Sequence, residues 1–164
     1  MNERHIAMSL GSNIGNRLAY LSQAVGMLRG AGFRITDMSR VWETEPWGVA
    51  EQPRFLNMCL TADSDFAPVE MLHIVKDIER RLGRSISEKW GPREIDIDLL
   101  LIDDEIIDIK SFKIPHPLMH KRAFVLIPMT EIAPSLIHPV LKKTLRELSD
   151  ELEDKGNMTW IIKL

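Results

Sequence analysis

Lys89-Trp90-Gly91-Pro92-Arg93-Glu94-Ile95-Asp96-Ile97-Asp98-Leu99-Leu100-Leu101-Ile102-Asp103 is the stretch on which the fold turns. From Ile95 the apolar residues alternate, so Ile95, Ile97, Leu99 and Leu101 share one face of a strand and Asp96, Asp98, Leu100 and Ile102 the other. Half of the second face is apolar too, which predicts a strand covered on both sides and central in its sheet. Asp96 and Asp98 then project from one side, their Cα atoms roughly 6.5–7 Å apart at ~3.3 Å per residue. Two carboxylates at the border of an apolar layer repel each other and lose hydration. A divalent cation between them answers both costs. Hard oxygen ligands suit Mg²⁺, which takes one or two carboxylates and completes its shell with water and substrate phosphates. A D-x-D alone more often marks only the polar end of a strand. Here Arg93 lies on a loop stiffened by Gly91 and Pro92, and Leu100 and Ile102 continue the acidic face, which favours the metal.

Outward from this strand the chain alternates strand and helix patterns. His5 to Leu10 reads as a first strand, and the turn-rich Gly11 to Arg17 leads into a helix carrying Leu18, Leu21, Val25 and Leu28, ended by Gly30 and Gly32. Phe33 to Glu43 reads as one long strand. Thr44 to Arg54 is a loop of a length that tends to be functional, and it carries Trp47. Phe55 to Ala62 returns as a strand with Leu56, Met58, Leu60 and Ala62 on one face and Phe55, Asn57, Cys59 and Thr61 on the other. Pro68 opens a helix with the stripe Met71, Val75, Ile78 and Leu82, stopped at Gly83. A second loop, Arg84 to Glu94, precedes the acidic strand. Beyond it the patterns predict a short strand over Ile106 to Ile109, a helix from about Leu118 to Met129, a short helix from Thr144 to Leu152 and a strand from Met158 to Lys163. The order β-α-β-β-α-β with a C-terminal extension predicts a ferredoxin-like α+β fold, a mainly antiparallel sheet with helices packed on it.

The chain of 164 residues, 45% hydrophobic and 27% charged, is the size of one domain, and no linker or repeat divides it, so 1–164 is read as a single unit. A net charge of −3 gives no general pull toward nucleic acid or anionic membranes. No apolar run approaches a membrane span, and the one cysteine, Cys59, suits a reducing compartment, so the expected location is cytoplasmic. Nothing resembles a zipper or an exposed apolar helix, and a monomer is the default.

No G-x-x-x-x-G-K-[ST] and no protein-kinase motif set is present, so any nucleotide phosphates must be held by side-chain cations. The candidates are Arg84, Lys89, Arg93, His116, Lys121 and Arg122. Arginine suits the task because its planar fork binds phosphate oxygens in pairs. Singly each is more often a solvated charge, but Arg93 has Trp90 and Pro92 beside it and His116 is pinned between Pro115 and Pro117. The remaining histidines lack zinc-ligand spacing. Phe55, Asn57 and Phe124 form a second constellation: an amide between aromatic planes suits a flat heteroaromatic ligand, although either Phe alone fits a core position as well. Trp47 and Trp90 sit in loops, as lids that exclude water would. The acid pair also fits a two-metal hydrolase, a nucleotide-sugar transferase or a non-catalytic nucleotide sensor.

The motifs Leu10-Gly11-Ser12-Asn13-Ile14-Gly15-Asn16-Arg17, Phe55-Leu56-Asn57, Trp90-Gly91-Pro92-Arg93 through Asp96-Ile97-Asp98-Leu99, Pro115-His116-Pro117, Arg122-Ala123-Phe124-Val125-Leu126 and Glu131-Ile132-Ala133-Pro134 together resemble the 6-hydroxymethyl-7,8-dihydropterin pyrophosphokinases of folate biosynthesis along nearly the whole chain. The resemblance implies transfer of pyrophosphate from ATP to the pterin hydroxymethyl oxygen, releasing AMP. It implies that Asp96 and Asp98 bind two Mg²⁺ ions arriving with ATP, and that Arg84 and Arg93 balance charge at the transferring phosphorus. It further puts Glu79, Lys89, Trp90, His116 and Arg122 at the nucleotide, and Thr44, Trp47, Phe55, Asn57 and Phe124 around the pterin. Two usual basic positions of the family are Ile86 and Leu118 here.

Overall fold

The computed structural model describes residues 2–84 and 90–164. Strand β1 (Arg4–Ser12) runs through the middle, buried without a break from Ile6 to Ser12. It pairs antiparallel with β4 (Phe55–Ser64) in unbroken register from Arg4 opposite Ser64 to Ser12 opposite Leu56, and on its other edge with β5 (Asp96–Ile102). Strands β2 (Arg34–Met38) and β3 (Val41–Thr44) both pair with β4, and β8 (Met158–Ile162) pairs with β3. The order β5-β1-β4-β3-β8 is an antiparallel sheet with the predicted strand–helix sequence.

The acidic strand is therefore an edge strand, and the central position belongs to β1. Its apolar residues on both faces report the layers above and below it, not a second neighbouring strand. The outer edge is closed by other groups: the Ile97 N–H donates to the Glu79 carboxylate at 2.7 Å, and the Leu100 carbonyl accepts from the His116 N–H at 2.9 Å. The predicted alternation also fails past Leu99. Ala7 faces Leu101 and Met8 faces Leu99, leaving Leu100 as the extra residue of a β-bulge. Leu100 and Leu101 consequently both join one layer while Ile102 joins the other. Asp96 and Asp98 lie before the bulge and keep their common face.

Helices α1 (Arg17–Ala31) and α2 (Pro68–Arg81) cover one face, packing Leu21, Val25, Leu28, Met71, Val75 and Ile78 onto Met8, Leu10, Met58, Leu60 and Ile97. The Asn16 side chain caps α1, accepting from the Ala19 N–H at 3.1 Å, and Gly32 ends it at φ +112°, a conformation glycine adopts without steric cost. The shorter α3 (Ala123–Ile132) and α4 (Leu145–Asp150) cover part of the opposite face with Val125, Leu126, Met129, Leu145 and Leu148 over Ala7, Cys59, Leu100 and Leu101. A cleft occupies that same face over Ser9, Gly11, Asn57, Asp96 and Asp98.

Several boundaries differ from expectation for local reasons. The long second strand is broken at Ser39, buried between β2 and β3; its hydroxyl accepts from the Cys59 N–H at 2.9 Å and donates to the Arg40 carbonyl at 2.8 Å. The strand near Ile106 is one arm of a hairpin, β6 (Ile107–Ile109) with β7 (Phe112–Ile114). The third helix begins after a 3-10 turn (Met119–Lys121), because Arg122 is extended at φ −110°, and it carries Pro128 inside its span. Among the described residues no helix is long and apolar enough to cross a membrane. Trp160, Ile161 and Ile162 of β8 are exposed apolar residues, a feature that a search for apolar helices does not reveal.

Candidate active site

The strand register builds the site floor. Gly11 of β1 stands between Asp96 of β5 and Asn57 of β4, and Ser9 stands between Asp98 and Cys59. Neighbouring strands lie ~4.8 Å apart, so the acids are two strands removed from the Asn57 amide across a floor of small side chains. Gly11 has to be small: a Cβ there would lie 2.5 Å from Asn57 Oδ1. The cleft above this floor has a volume of about 230 Å³.

Its charged end is a chain of ion pairs. Asp96 takes Arg84 Nη1 on one oxygen at 2.7 Å and Arg93 Nη1 on the other at 3.3 Å. Arg84 Nη1 also lies 2.8 Å from Glu79, a buried carboxylate that holds Lys76 Nζ at 3.1 Å on its other oxygen. Burial raises the Glu79 carboxyl, against the attraction of Lys76. Asp98 is less well matched, with His116 Nε2 and Arg122 Nη1 each at 3.8 Å. Burial first, then the Asp96 charge, push its carboxyl up to about 7, with Arg122 and Lys76 pulling the other way. Asp98 is thus the less compensated of the two carboxylates, because Asp96 already has two guanidiniums.

His116 is held down to about 4 by burial and by Arg122, so its ring is neutral at pH 7. Its Nδ1 accepts from the Leu118 N–H at 3.2 Å, which assigns the proton to Nε2, the nitrogen facing Asp98. Arg122 lies 4.7 Å from the Trp47 ring centre and 5.5 Å from that of Phe124, and its buried Nε has no partner among the described residues. Burial lowers this guanidinium below its ordinary value.

The other end is aromatic and amide-lined. Thr44, Trp47, Phe55, Asn57 and Phe124 line the same cleft, with Asn57 Nδ2 donating to Thr44 Oγ1 at 2.7 Å. Trp47 and Trp90 meet edge to face at 5.4 Å, each from its own loop. The two loops are braced to β1 through Asn13 and Gln52. Asn13 Nδ2 donates to Gln52 Oε1 at 2.9 Å and to the Pro53 carbonyl at 3.0 Å, while its Oδ1 accepts from the Arg93 N–H at 2.8 Å. Gln52 Nε2 donates to the carbonyls of Val49 at 2.6 Å and Trp90 at 2.9 Å.

The cleft thus gathers Arg84, Trp90, Arg93, Asp96, Asp98, His116 and Arg122 with the five aromatic-end residues, while Glu79 stands behind it as the partner of Arg84. The expectation for Lys89 lies outside the described residues. Sequence reasoning missed Ser9, Gly11, Glu45 and Lys76, which also line it. For Ser9 and Gly11 the signal was alternation along β1, which puts them on the face of Asn57. Next to this cleft lies a second one of about 270 Å³, walled by Leu72, Leu99, Phe112 and Pro117 with Lys110 and Lys113 at hand; Lys76, Asp98 and His116 line both.

Two acid oxygen donors on one strand face fit a hard cation. No three His, Cys, Asp or Glu side chains group around a common point among the described residues, so such an ion would draw its remaining ligands from water and phosphate.

A family model described as 7,8-dihydro-6-hydroxymethylpterin-pyrophosphokinase matches residues 7–134. A 2-amino-4-hydroxy-6-hydroxymethyldihydropteridine pyrophosphokinase from Aquifex aeolicus is 42% identical over 146 residues, 89% of this chain and 91% of that protein. Its namesake in Bacillus subtilis is 43% identical over 126 residues, covering 76% of this chain and 75% of that protein. The chain also matches the folic acid synthesis protein fol1 of Schizosaccharomyces pombe at 35% identity, where it spans 20% of a much longer protein. Among solved structures, wild-type Plasmodium falciparum HPPK-DHPS with pteroate superposes with a TM-score of 0.75 at 15% identity, over 92% of this chain and 42% of that one, a likeness of fold.

Proposed function

The chain belongs to the 7,8-dihydro-6-hydroxymethylpterin-pyrophosphokinase family, and from that premise we propose that residues 1–164 act as one pyrophosphokinase domain. It transfers pyrophosphate from ATP to the hydroxymethyl oxygen of 6-hydroxymethyl-7,8-dihydropterin, giving AMP and the pterin diphosphate for tetrahydrofolate synthesis. The observation that carries this reading is the cleft itself: an aromatic, amide-lined end and an acid pair ringed by arginines share one floor.

In this reading the flat pterin lies over Gly11 among Phe55, Phe124 and Trp47. Asn57 and the backbone around Thr44 read its edge, so its hydroxymethyl group points along the floor toward Asp96 and Asp98. The nucleoside end of ATP occupies the second, more apolar cleft, and the polyphosphate runs past His116 and Arg122 to the acids. Two Mg²⁺ ions brought with ATP would be held by Asp96 and Asp98, supplying charge neutralisation along the polyphosphate and acidifying the attacking hydroxyl.

Transfer of this kind asks the protein for alignment and charge more than for covalent chemistry. Arg84 and Arg93 both rest on Asp96; with a cation held by Asp96, both guanidiniums would be available to phosphate oxygens, Arg84 still braced by Glu79. The neutral His116 can donate a hydrogen bond from Nε2–H to a phosphate oxygen, and Arg122, whose Nε has no partner among the described residues, has donor capacity for another. Trp47 and Trp90 close the space against water.

Incubation with ATP, Mg²⁺ and 6-hydroxymethyl-7,8-dihydropterin tests the reading. AMP formed only when the pterin is present supports it, whereas ADP or free phosphate would point to a hydrolase or a different transferase.

A further inference from the structure

Lys76 stands where the two clefts meet. Of the residues that line them, Lys76, Asp98 and His116 line both, so a ligand with its nucleoside in one cleft and its terminal phosphates in the other passes between these three side chains. Asp98 is an acid and His116 an imidazole, which leaves Lys76 as the alkylammonium shared by the two clefts among the described residues. The side chain projects from α2 and keeps 53% of its surface open. Its ion-pair partner among the described residues, Glu79, is committed elsewhere as well: Oε1 of that carboxylate carries both Arg84 and the Ile97 N–H, and Oε2 turns to Lys76 Nζ. The ammonium is thus aimed by a buried carboxylate at the junction while its outer side stays available.

We propose that Lys76 is a phosphate-binding residue of the nucleotide site, gripping the polyphosphate where it crosses from the second cleft into the first. This rests on the nucleotide reading given above. A lysine suits the place: it is a compact point charge with three rotatable donors on a flexible stem, able to follow a polyphosphate that shifts along a channel. The competing role is structural, Lys76 serving only to steady Glu79.

Affinity for a nonhydrolysable ATP analogue with Mg²⁺, measured by calorimetry on wild type, Lys76→Gln and Lys76→Arg, separates the two roles, with adenosine measured by competition as the phosphate-free control. Lys76→Gln is expected to bind the analogue about tenfold more weakly. It should hold adenosine within about twofold of wild type and show a shallower dependence of affinity on salt. Lys76→Arg should recover most of the loss. Equal binding of the analogue by wild type and Lys76→Gln overturns the proposal, as does an equal loss for adenosine, the pattern a purely structural lysine would give. If wild type itself fails to bind the analogue with Mg²⁺, the nucleotide reading falls, and this proposal with it.

Discussion

Replacing Asp98 by Asn is expected to make the ligand-free protein more stable while removing its Mg²⁺-dependent turnover. The Asp98 carboxyl is pushed up to about 7 from an ordinary 3.8, chiefly by burial and next by the charge on Asp96. Between those two values the unfolded chain has released the proton and the folded chain still holds it, so folding stability falls as pH rises through this window and stays lost above it. Each pH step costs about 1.4 kcal/mol, roughly 4 kcal/mol across the window. The carboxylate keeps 23% of its surface open and shares its field with Asp96. About half of the gross figure, ~2 kcal/mol, is therefore the expected gain for Asn at pH 8. In a domain of this size that raises the melting temperature by about 4–8 °C. Thermal melts from pH 4 to pH 8 without nucleotide or divalent ions provide the assay. The gap between variant and wild type should widen up to about pH 7 and then level off, and adding Mg²⁺ with a nonhydrolysable ATP analogue should stabilise wild type but not the variant. Should Asp98→Asn melt at or below wild type at pH 8, with wild type flat across the range, Arg122 and His116 already compensate the acid and the reasoning fails.

Three further outcomes follow from the same geometry. Arg93→Ala should lower kcat by about a hundredfold, because its charge matters most as the transferring group becomes more negative; steady-state kinetics showing only a raised KM for ATP would contradict this. Gln52→Ala removes the side chain that holds the carbonyls of Val49 and Trp90 and the Asn13 amide. It should alter tryptophan fluorescence and lower kcat/KM for the pterin roughly tenfold, equivalent to about half of the ~3 kcal/mol that three lost hydrogen bonds represent, and unchanged spectra and kinetics would show the brace to be idle. Gly11→Ala drives a methyl group to 2.5 Å from Asn57 Oδ1. The amide must turn away, and the expected result is a KM for the pterin raised about tenfold or more in a protein that still folds, equivalent to losing one good hydrogen bond to the ring; a normal KM would remove Asn57 from the pterin site.

The strand–helix order was readable because β1, β4 and α2 carry their burial pattern openly: Leu56, Met58 and Leu60 alternate, and Met71, Val75 and Ile78 recur at helical spacing. Neighbours within the sheet were not readable in the same way. Leu99 to Ile102 are buried on both sides of the sheet, yet among the described residues the outer edge of β5 is met by a carboxylate from α2 and a backbone amide from residue 116, which periodicity does not register. The bulge at Leu100 was hidden by its setting, since in Leu99-Leu100-Leu101-Ile102 any facing is equally apolar. Ser39 breaks a strand through a hydroxyl reaching β4, a contact that exists only once β4 is in place. At the site, residues with conspicuous chemistry could be found from sequence: the D-x-D pair, the arginines near it, the aromatics flanking Asn57. Ser9 and Gly11 matter through being small, and Lys76 looks like any solvated helix lysine until the two clefts are seen to meet beside it.

The central claim is that Asp96 and Asp98 jointly hold a divalent cation that arrives with a triphosphate. Its most direct test is a crystal grown with Mn²⁺ in place of Mg²⁺, a nonhydrolysable ATP analogue and the pterin, read by anomalous scattering. The account predicts strong peaks within ligand distance, about 2.0–2.3 Å, of oxygens from both aspartates and from the polyphosphate. A bound nucleotide with Asp96 still paired to Arg84 and Arg93, and no anomalous peak beside Asp98, would contradict it.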